Sequence, residues 1–174
     1  TESGFFRWIG LHALRAAKFR AGRVFLLFCG LAAVLSAFMD SITVMIFMGS
    51  LALEVSRVLK VHPIPFLLGL ITSANIGGSA TMVGDPPNVI IGTALHLGFA
   101  DFVVNVGPVA LAVFAVNAGF FYLYYRRKEF DRPPSLAEED LAKHRELDPF
   151  SAIKDLRLLR VSLTVFAFTV TLLV

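Results

Sequence analysis

The feature that most constrains the fold of this chain is a polar segment placed inside its most apolar region. Residues 75–88 read Asn-Ile-Gly-Gly-Ser-Ala-Thr-Met-Val-Gly-Asp-Pro-Pro-Asn, within a stretch, 61–125, that contains no Lys or Arg. The flanks 63–71 and 89–97 are mostly apolar, which predicts two membrane-buried half-helices with a break between them. Irregular backbone at membrane depth is tolerated only where it is buried in protein or lines a watery cavity. The break is therefore a candidate functional site.

The composition of the chain also favours an integral membrane protein. Hydrophobic residues make up 56% of its 174 residues, charged residues make up 17%, and the mean hydropathy is +0.73. Soluble domains carry about 25% charged residues. We therefore expect a multi-pass protein of the cell membrane, such as the bacterial inner membrane, with the lipid bilayer as a partner and no role for nucleic acid.

Residues 24–53 form a second unusual region, because Asp40 is their only charged residue. One straight helix of this length would measure about 45 Å, whereas the hydrocarbon core of a bilayer is about 30 Å thick. The run therefore predicts a re-entrant hairpin of two helices that enter and leave on the same side. Its polar residues Ser36, Asp40, Ser41 and Thr43 cluster at the middle, where the tip of the hairpin would lie.

The distribution of cations tests this topology. The 16 Lys and Arg fall as five in 7–23, two in 54–62 and nine in 126–160. With a hairpin all of them lie on one face, which the positive-inside rule makes cytoplasmic; a single span would separate the first two groups. The remaining segments are predicted as follows: a basic interfacial helix at 5–23, a broken helix at 63–97, a transmembrane helix at 102–125, a cytoplasmic linker at 126–160 and the start of a further membrane helix at 161–174.

The break itself has the composition of a helix end followed by a helix start. Gly77 and Gly78 suit a left-handed position after the last helical turn, which would leave free carbonyls of negative partial charge. Asp85 suits the N-cap of a second helix, with Pro86 at its first position. Transporters use unwound carbonyls to bind a coupling cation and helix N-termini to face an anionic substrate. The alternative is a kink, with glycines for close packing and Asp85 only as a cap.

Asp40 is the other candidate for ion chemistry. A carboxylate at bilayer depth costs roughly 2.5–3.5 kcal/mol, so such residues usually face an interior and serve a function. Burial favours the protonated form and a bound cation favours the ionised form, so Asp40 could exchange a proton for a cation. The alternative is a neutral Asp40 bonded to Ser36 or Thr43. No nucleophile–base pair or metal set supports an enzyme or a resident cofactor.

Two motifs carry a family resemblance. Residues 35–43, Leu-Ser-Ala-Phe-Met-Asp-Ser-Ile-Thr, followed by the break at 75–88, resemble the ion transporter superfamily, in its branch of sodium–proton antiporters, arsenite permeases and the P protein. The resemblance covers about 5–174. It implies an all-α fold, the N-terminal half of an inverted-repeat transporter, with 161–174 opening the second repeat. The family usually has Asn where this chain has Ser41. Compared with Asn, Ser41 still offers an oxygen ligand but lacks the amide group.

In that family the hairpin tip and the unwound helix build one cation site. Carried over by motif, the cation-binding and coupling residues are Asp40, Ser41, Thr43, Asn75, Gly77, Gly78, Gly84 and Asp85. Within that set, Na⁺ is expected at Asp40, Ser41, Asn75 and Gly84. The residues expected to contact substrate are Ser36, Thr81 and Asn88.

The prediction is a secondary active transporter that couples Na⁺ or H⁺ to the transport or exchange of a small ion by alternating access. Its expected partners are the ion substrate, the remaining half of the transporter and a second copy in a homodimer. A passive channel and a non-transporting membrane subunit or anchor are the alternatives. The site hypothesis requires one contact: the hairpin tip must approach the break between Gly77 and Asp85.

Overall fold

The structure is a computed structural model that describes residue 17, residues 20–130 and residues 161, 164 and 168. Most of the predicted interfacial helix at 5–23, the linker beyond residue 130 and nearly all of the helix predicted at 161–174 lie outside these residues. Within the described residues the regular structure is helical, with no β-strand. The all-α fold predicted from the sequence is therefore observed for this part of the chain.

Residues 20–130 contain six α-helices and one π-helical turn. In chain order they are α1 Ala21–Ser36, α2 Ser41–Val58, α3 Pro63–Ser79, α4 Pro86–Leu95, α5 Phe99–Asn105, α6 Gly107–Tyr125 and the π-helical turn Arg126–Phe130.

Proline and two left-handed residues set several of these boundaries. Pro63 and Pro86 occupy the first positions of α3 and α4, where the missing N–H would have had no partner within the helix. Lys60, just after α2, and His96, at the end of α4, have φ angles of 51° and 55°. Such left-handed residues end helices because they turn the chain away from the helix axis.

The helices α1 and α2 form a hairpin joined by residues 37–40. The hairpin extends beyond the predicted range of 24–53, because the charged side chains of Arg23, Glu54 and Arg57 are exposed on the helix surfaces and do not end the helices. Polar residues Ser36 and Asp40 lie at the turn, as the clustering in the sequence predicts.

Helix α3 is the centre of the structure, because it packs against α1, α2 and α6. Phe66 of α3 lies edge-on to Phe25 and Phe28 of α1, with ring centroids 5.8 Å and 6.5 Å away. Gly69 of α3 faces the same part of α1: a Cβ there would lie 2.5 Å from Phe25 Cζ and 3.1 Å from Cys29 Sγ. The absence of a side chain at Gly69 therefore lets α1 and α3 approach closely.

The segment after the break is bent and lightly packed. The axes of α4 and α5 differ by 109°, and the ring of Phe99 at the start of α5 stacks on Phe38 of the hairpin turn at 6.4 Å. Among the described helices, Gly107–Lys128 is long and apolar enough to cross a membrane. The bent pair of α4 and α5 would be a second span if the two helices formed one broken span.

The span predicted at 102–125 is divided in the structure. Residues 102–105 belong to α5, and α6 begins at Gly107. Pro108 explains the division, because it has no N–H for the hydrogen bond to the carbonyl of residue 104 and its ring crowds that carbonyl. A hydrogen bond from the Gly98 N–H to Asp101 Oδ2, 2.8 Å long, fixes the start of α5.

The seven Lys and Arg of residues 20–130 lie at one end of the helices. They are found at the start of α1, at the end of α2 and after α6: Arg20, Arg23, Arg57, Lys60, Arg126, Arg127 and Lys128. The ring of Phe25, near the start of α1, shows that these places are close together. Its centroid lies 5.0 Å from that of Phe130, after α6, and the ring also contacts Phe66, near the start of α3. The carboxylates Asp40 and Asp85 lie at the opposite end, at the turn and the break.

We predict that Gly69→Ala destabilises the protein by about 1–3 kcal/mol, because the added methyl overpacks a contact with the fully buried Phe25. Gly30→Ala is the matched control: no atom lies within 4 Å of a Cβ at this helical glycine. It should be neutral or stabilising by about 0.5–1 kcal/mol. Thermal unfolding of both variants in detergent checks this, and equal effects would contradict close packing at Gly69.

Candidate functional site

The hairpin turn and the break are in direct contact. The hydroxyl of Thr81, in the break, donates a hydrogen bond to the carbonyl of Ala37, in the turn. The same hydroxyl accepts the N–H of Gly84 at 3.2 Å, and Thr81 is only 5% exposed. The contact that the sequence predicts between the tip of the hairpin and residues 77–85 is confirmed.

The end of α3 differs from the prediction. The helix continues through Gly77 and Gly78 to Ser79, and its C-cap residue Ala80 has a right-handed φ of −71°. The predicted left-handed glycine is therefore wrong. Gly77 is needed for a different reason, because a Cβ there would collide with the backbone of Ala33 in α1. Close packing, the purpose that the alternative gave to the glycines, accounts for Gly77.

Gly84 lies where the ends of two helices meet. A Cβ at Gly84 would lie 2.6 Å from the carbonyl oxygen of Ser36, at the end of α1, and would also collide with the carbonyl oxygen of Gly78, near the end of α3. Carbonyls at helix C-termini carry negative partial charge. Gly84 thus marks a point at which two electronegative helix ends converge and where no side chain fits.

The side chain of Asn88 joins the two halves of the broken helix. Its Nδ2 donates from α4 to the carbonyls of Thr81 at 2.8 Å, Ser79 at 3.2 Å and Gly78 at 3.5 Å. An amide nitrogen carries two hydrogens, so these three carbonyls share two donors. Asn88, predicted from the sequence to contact substrate, is here engaged in satisfying the carbonyls at the end of α3.

Asp85 occupies the N-cap of α4, with Pro86 next to it, as predicted. Its carboxylate accepts no capping hydrogen bond and packs against Gly78 instead, 2.7 Å from the position of a Cβ on that residue. Pro86 and Pro87 have no N–H, and the N–H of Asn88 bonds to the carbonyl of Asp85 at 3.0 Å. The start of α4 therefore offers almost no donors to an anion, which disfavours the anion-binding half of the prediction.

Asp40 has a local structural partner. Its Oδ2 accepts hydrogen bonds from the N–H of Thr43 at 2.9 Å and from the Thr43 hydroxyl at 3.0 Å, and it is the N-cap of α2. The sequence signal for this cap was an Asp three residues before a Thr, at the start of an apolar run. Ser41, the first residue of α2, is 6% exposed.

Ser36 and Asn75 occupy contrasting environments. Ser36 is fully buried beside Gly84, and its hydroxyl makes no hydrogen bond within the described part of the chain. Asn75 is exposed on α3, and no hydrogen bond joins its side chain to the other described residues. The structure therefore brings Ser36, Gly78, Thr81, Gly84, Asp85 and Asn88 together, and it does not join Asn75 to them.

The chemistry of this cluster is that of oxygen atoms, most of them neutral and one pair from a carboxylate. It contains the carbonyls of Ser36 and Gly78, the hydroxyls of Ser36 and Thr81 and, next to Gly78, the carboxylate of Asp85. Among residues 20–130, no three His, Cys, Asp or Glu side chains come together as a metal site. The carbonyl of Ala37 could not have been identified from the sequence, because every residue carries a carbonyl and only the fold selects one.

Comparison with known proteins places these observations in a family. The family model described as "Citrate transporter" matches residues 1–174. The human P protein is 34% identical over 141 residues, which are 78% of this chain and 17% of that protein. An uncharacterised transporter of Mycobacterium tuberculosis is 33% identical over 118 residues, which are 68% of this chain and 28% of the relative.

A third relative is a 46 kDa membrane protein of Mycobacterium leprae, 30% identical over 125 residues, which are 72% of this chain and 29% of that protein. The chain thus spans less than a third of the length of these curated relatives. No solved structure matches it. The resemblance to the branch that includes the P protein is confirmed.

We predict that Thr81→Val separates the break from the hairpin turn. The substitution keeps the shape and leaves the Ala37 carbonyl and the Gly84 N–H without their partner, at a cost of about 1–3 kcal/mol. Thr93→Val is the matched control, since the Thr93 hydroxyl is exposed and bonds only to Val89 in its own helix. Thermal unfolding compares the two, and a similar small effect of both would contradict the bridging role of Thr81.

We predict a larger loss for Asn88→Asp, of at least about 2 kcal/mol, because a carboxylate offers no donor and faces three carbonyls. Lowering the pH should recover part of the loss, since a protonated carboxyl donates one hydrogen bond. Asn105→Asp serves as control: Asn105 is exposed and bonds to Asp101 within α5. Unfolding curves across pH test this, and a loss that does not depend on pH would contradict it.

Proposed function

Because this chain belongs to the citrate transporter family, we propose that it forms the N-terminal repeat of a secondary active transporter. The transporter moves or exchanges a small ion by alternating access, with Na⁺ or H⁺ as the coupling ion. The end of the helices that carries the seven described cations faces the cytoplasm, in keeping with the positive-inside rule, and the linker at 126–160 lies on the same side.

The observation that carries this proposal is the convergence of helix ends at Gly84. The carbonyls of Ser36 and Gly78 approach Gly84 from α1 and α3, and the buried hydroxyl of Ser36 has no hydrogen-bond partner among the described residues. An unsatisfied buried hydroxyl costs about 1–3 kcal/mol. A bound cation would use its oxygen, and the C-terminal ends of half-helices coordinate coupling cations in transporters.

Within this proposal the predicted residues take different roles. Ser36, Gly78 and Gly84 line the cation position, and Thr81 and Asn88 hold the break around it. Asp40 and Asp85 supply negative charge from the turn and from the N-cap of α4. Asn75 is exposed on α3. It would therefore contact an ion only at a surface that α3 shares with the remaining half of the transporter.

A citrate-like carboxylate is the first substrate to test, because the family model is described by that name. The start of α4 has few N–H donors, so the positive groups that hold an anion would come from a bound cation, from parts of the chain outside the described residues or from the remaining half of the protein. The site thus offers oxygens to a cation and few donors to an anion. This favours an order in which the cation binds first and its charge attracts the anion. Arsenite and direct Na⁺–H⁺ exchange are the other substrates to compare.

We predict that Ser36→Ala raises the Na⁺ concentration for half-maximal uptake about tenfold, because one oxygen ligand to a charged group is lost. Ser73→Ala is the matched control. Ser73 is also fully buried, in the body of α3 beside Cys29, away from the break. The measurement is initial citrate uptake into vesicles that contain the full natural protein, as a function of Na⁺. Equal half-saturation in the two variants would contradict the assignment of Ser36.

The same vesicles distinguish the alternative functions. Asp40→Asn and Asp85→Asn should weaken coupling to the Na⁺ or pH gradient, and unchanged coupled flux in both would overturn the site. A passive channel would give flux that follows the citrate gradient whatever the Na⁺ and pH gradients. A non-transporting subunit would tolerate replacement of 75–88 by a plain apolar helix without loss of its function.

A further inference from the structure

Helix α3 has one face that no described helix covers. It packs against α1, α2 and α6, and its exposed residues recur every three or four positions, so they lie in one stripe along the helix. This stripe contains Ile64, Leu68, Ile71, Asn75 and Ser79. The helix at the centre of the structure is therefore open from its first turn to its last.

Asn75 makes the stripe unlike a surface that faces lipid. It lies 12 residues beyond Pro63, which is about 18 Å along the helix axis, whereas the hydrocarbon core of a bilayer is about 30 Å thick. With the basic end of the helices at the interface, the side chain of Asn75 is within the core, and it makes no hydrogen bond to the other described residues. An amide without a hydrogen-bond partner is costly in hydrocarbon, so lipid is a poor occupant of this face.

The outward face of α6 gives the contrast. Its most exposed large side chains are apolar: Val109, Leu111, Val116, Phe120 and Leu123. Asn117, the amide of this helix, is half-buried, and its Nδ2 donates to Thr72 Oγ1 of α3 at 3.0 Å. The amide of α6 thus serves to join two helices, whereas Asn75, one turn beyond Thr72, has no such partner helix among the described residues.

We propose that the stripe is the docking surface for a transmembrane helix of the remaining half of the transporter, and that Asn75 forms a hydrogen bond with that helix. The proposal rests on the proposed function, in which this chain is one part of a longer polypeptide. Contacts between membrane helices combine close packing with hydrogen bonds from Asn, Ser and Thr, and the stripe has this composition. An aqueous path would instead leave Ile64, Leu68 and Ile71 against water.

The lengths of the relatives favour a helix of the same polypeptide over a second copy. The matched segments make up 17%, 28% and 29% of three relatives, so most of the length of those proteins lies outside the match. A helix tethered to α3 in the same membrane has a high effective concentration, so it would cover the stripe before a second copy could. Asn75 would then join the two halves of the transporter one turn before the end of α3.

The experiment identifies the occupant with a photoreactive side chain in the full natural protein, in membrane vesicles. Leu68→p-benzoylphenylalanine places the photoreactive group on the stripe, and Val116→p-benzoylphenylalanine places it on the outward face of α6 as the control. After illumination, mass spectrometry identifies the molecule to which each group has bonded. We expect a peptide of the same polypeptide from outside residues 1–174 at Leu68, and phospholipid at Val116. Ile64 takes the place of Leu68 if thermal unfolding shows that the first variant is not folded.

A second measurement tests the hydrogen bond of Asn75. We expect Asn75→Leu to lower the unfolding temperature of the full protein by about 1–3 °C, because one hydrogen bond between membrane helices is lost. Asn75→Gln keeps the amide and should retain most of the stability. At a position that faces lipid, leucine would be the better residue, so an unchanged or raised unfolding temperature in Asn75→Leu would overturn the role of Asn75.

Four results of the cross-linking would overturn the proposal. Phospholipid adducts at both positions would assign the stripe to lipid, and a bond between two copies would make it a dimer contact. A bond to residues 131–174 would assign it to the last segment of this chain. No bond at Leu68, with phospholipid at Val116, would place the stripe along an aqueous path.

The proposed function is tested separately by coupled uptake into the same vesicles. A cross-link from Leu68 to the remaining half, in a protein whose uptake is not coupled to the Na⁺ or pH gradient, would keep the interface and reject the transporter mechanism. Coupled uptake with phospholipid at Leu68 would do the reverse.

Discussion

The close approach of α1 and α3 is the contact on which the rest of the structure depends. Gly69 accommodates the ring of Phe25, and Gly77 lies against the backbone of Ala33. In a membrane the hydrophobic effect does not drive helices together, so small residues that permit close van der Waals packing determine which helices associate. Because α1 ends in the hairpin turn and α3 ends in the break, this packing brings the two polar segments of the chain into contact.

The break then has to satisfy the backbone groups that the interruption of the helix leaves without partners. The Asn88 amide covers carbonyls at the end of α3, and the Thr81 hydroxyl bonds to both Ala37 and Gly84. These bonds come from side chains within a few residues of the break, so the interruption of the helix costs little. The Ser36 hydroxyl is left without a partner among the described residues, and the carbonyl of the same residue is one of the two that converge on Gly84.

Sequence reasoning succeeded where local chemistry decides the structure. Pro86 can stand only near a helix start, so the position of Asp85 and the beginning of α4 followed from the chain itself. It failed where tertiary contacts decide. A glycine suits both a left-handed turn and a close crossing of helices, and only the position of Ala33 showed that Gly77 serves the second purpose. For the same reason the exposure of Asn75 could not be predicted, since periodicity does not tell which face of α3 meets α1.

In the proposed transporter, the oxygens that converge on Gly84 are carbonyls, with the carboxylate of Asp85 close by, and this bears on how ion binding would drive movement. A coupling ion must bind and leave in every cycle, and carbonyls and hydroxyls hold a cation less tightly than a set of carboxylates does. A cation placed there would be held by the end of α1 and by the end of α3 together, so it would bind only while the turn and the break are in contact. A ligand shifts an equilibrium by its difference in affinity for the two states. Occupancy would therefore stabilise the conformation in which Thr81 bonds to Ala37, and release of the ion would free the hairpin to separate from the broken helix.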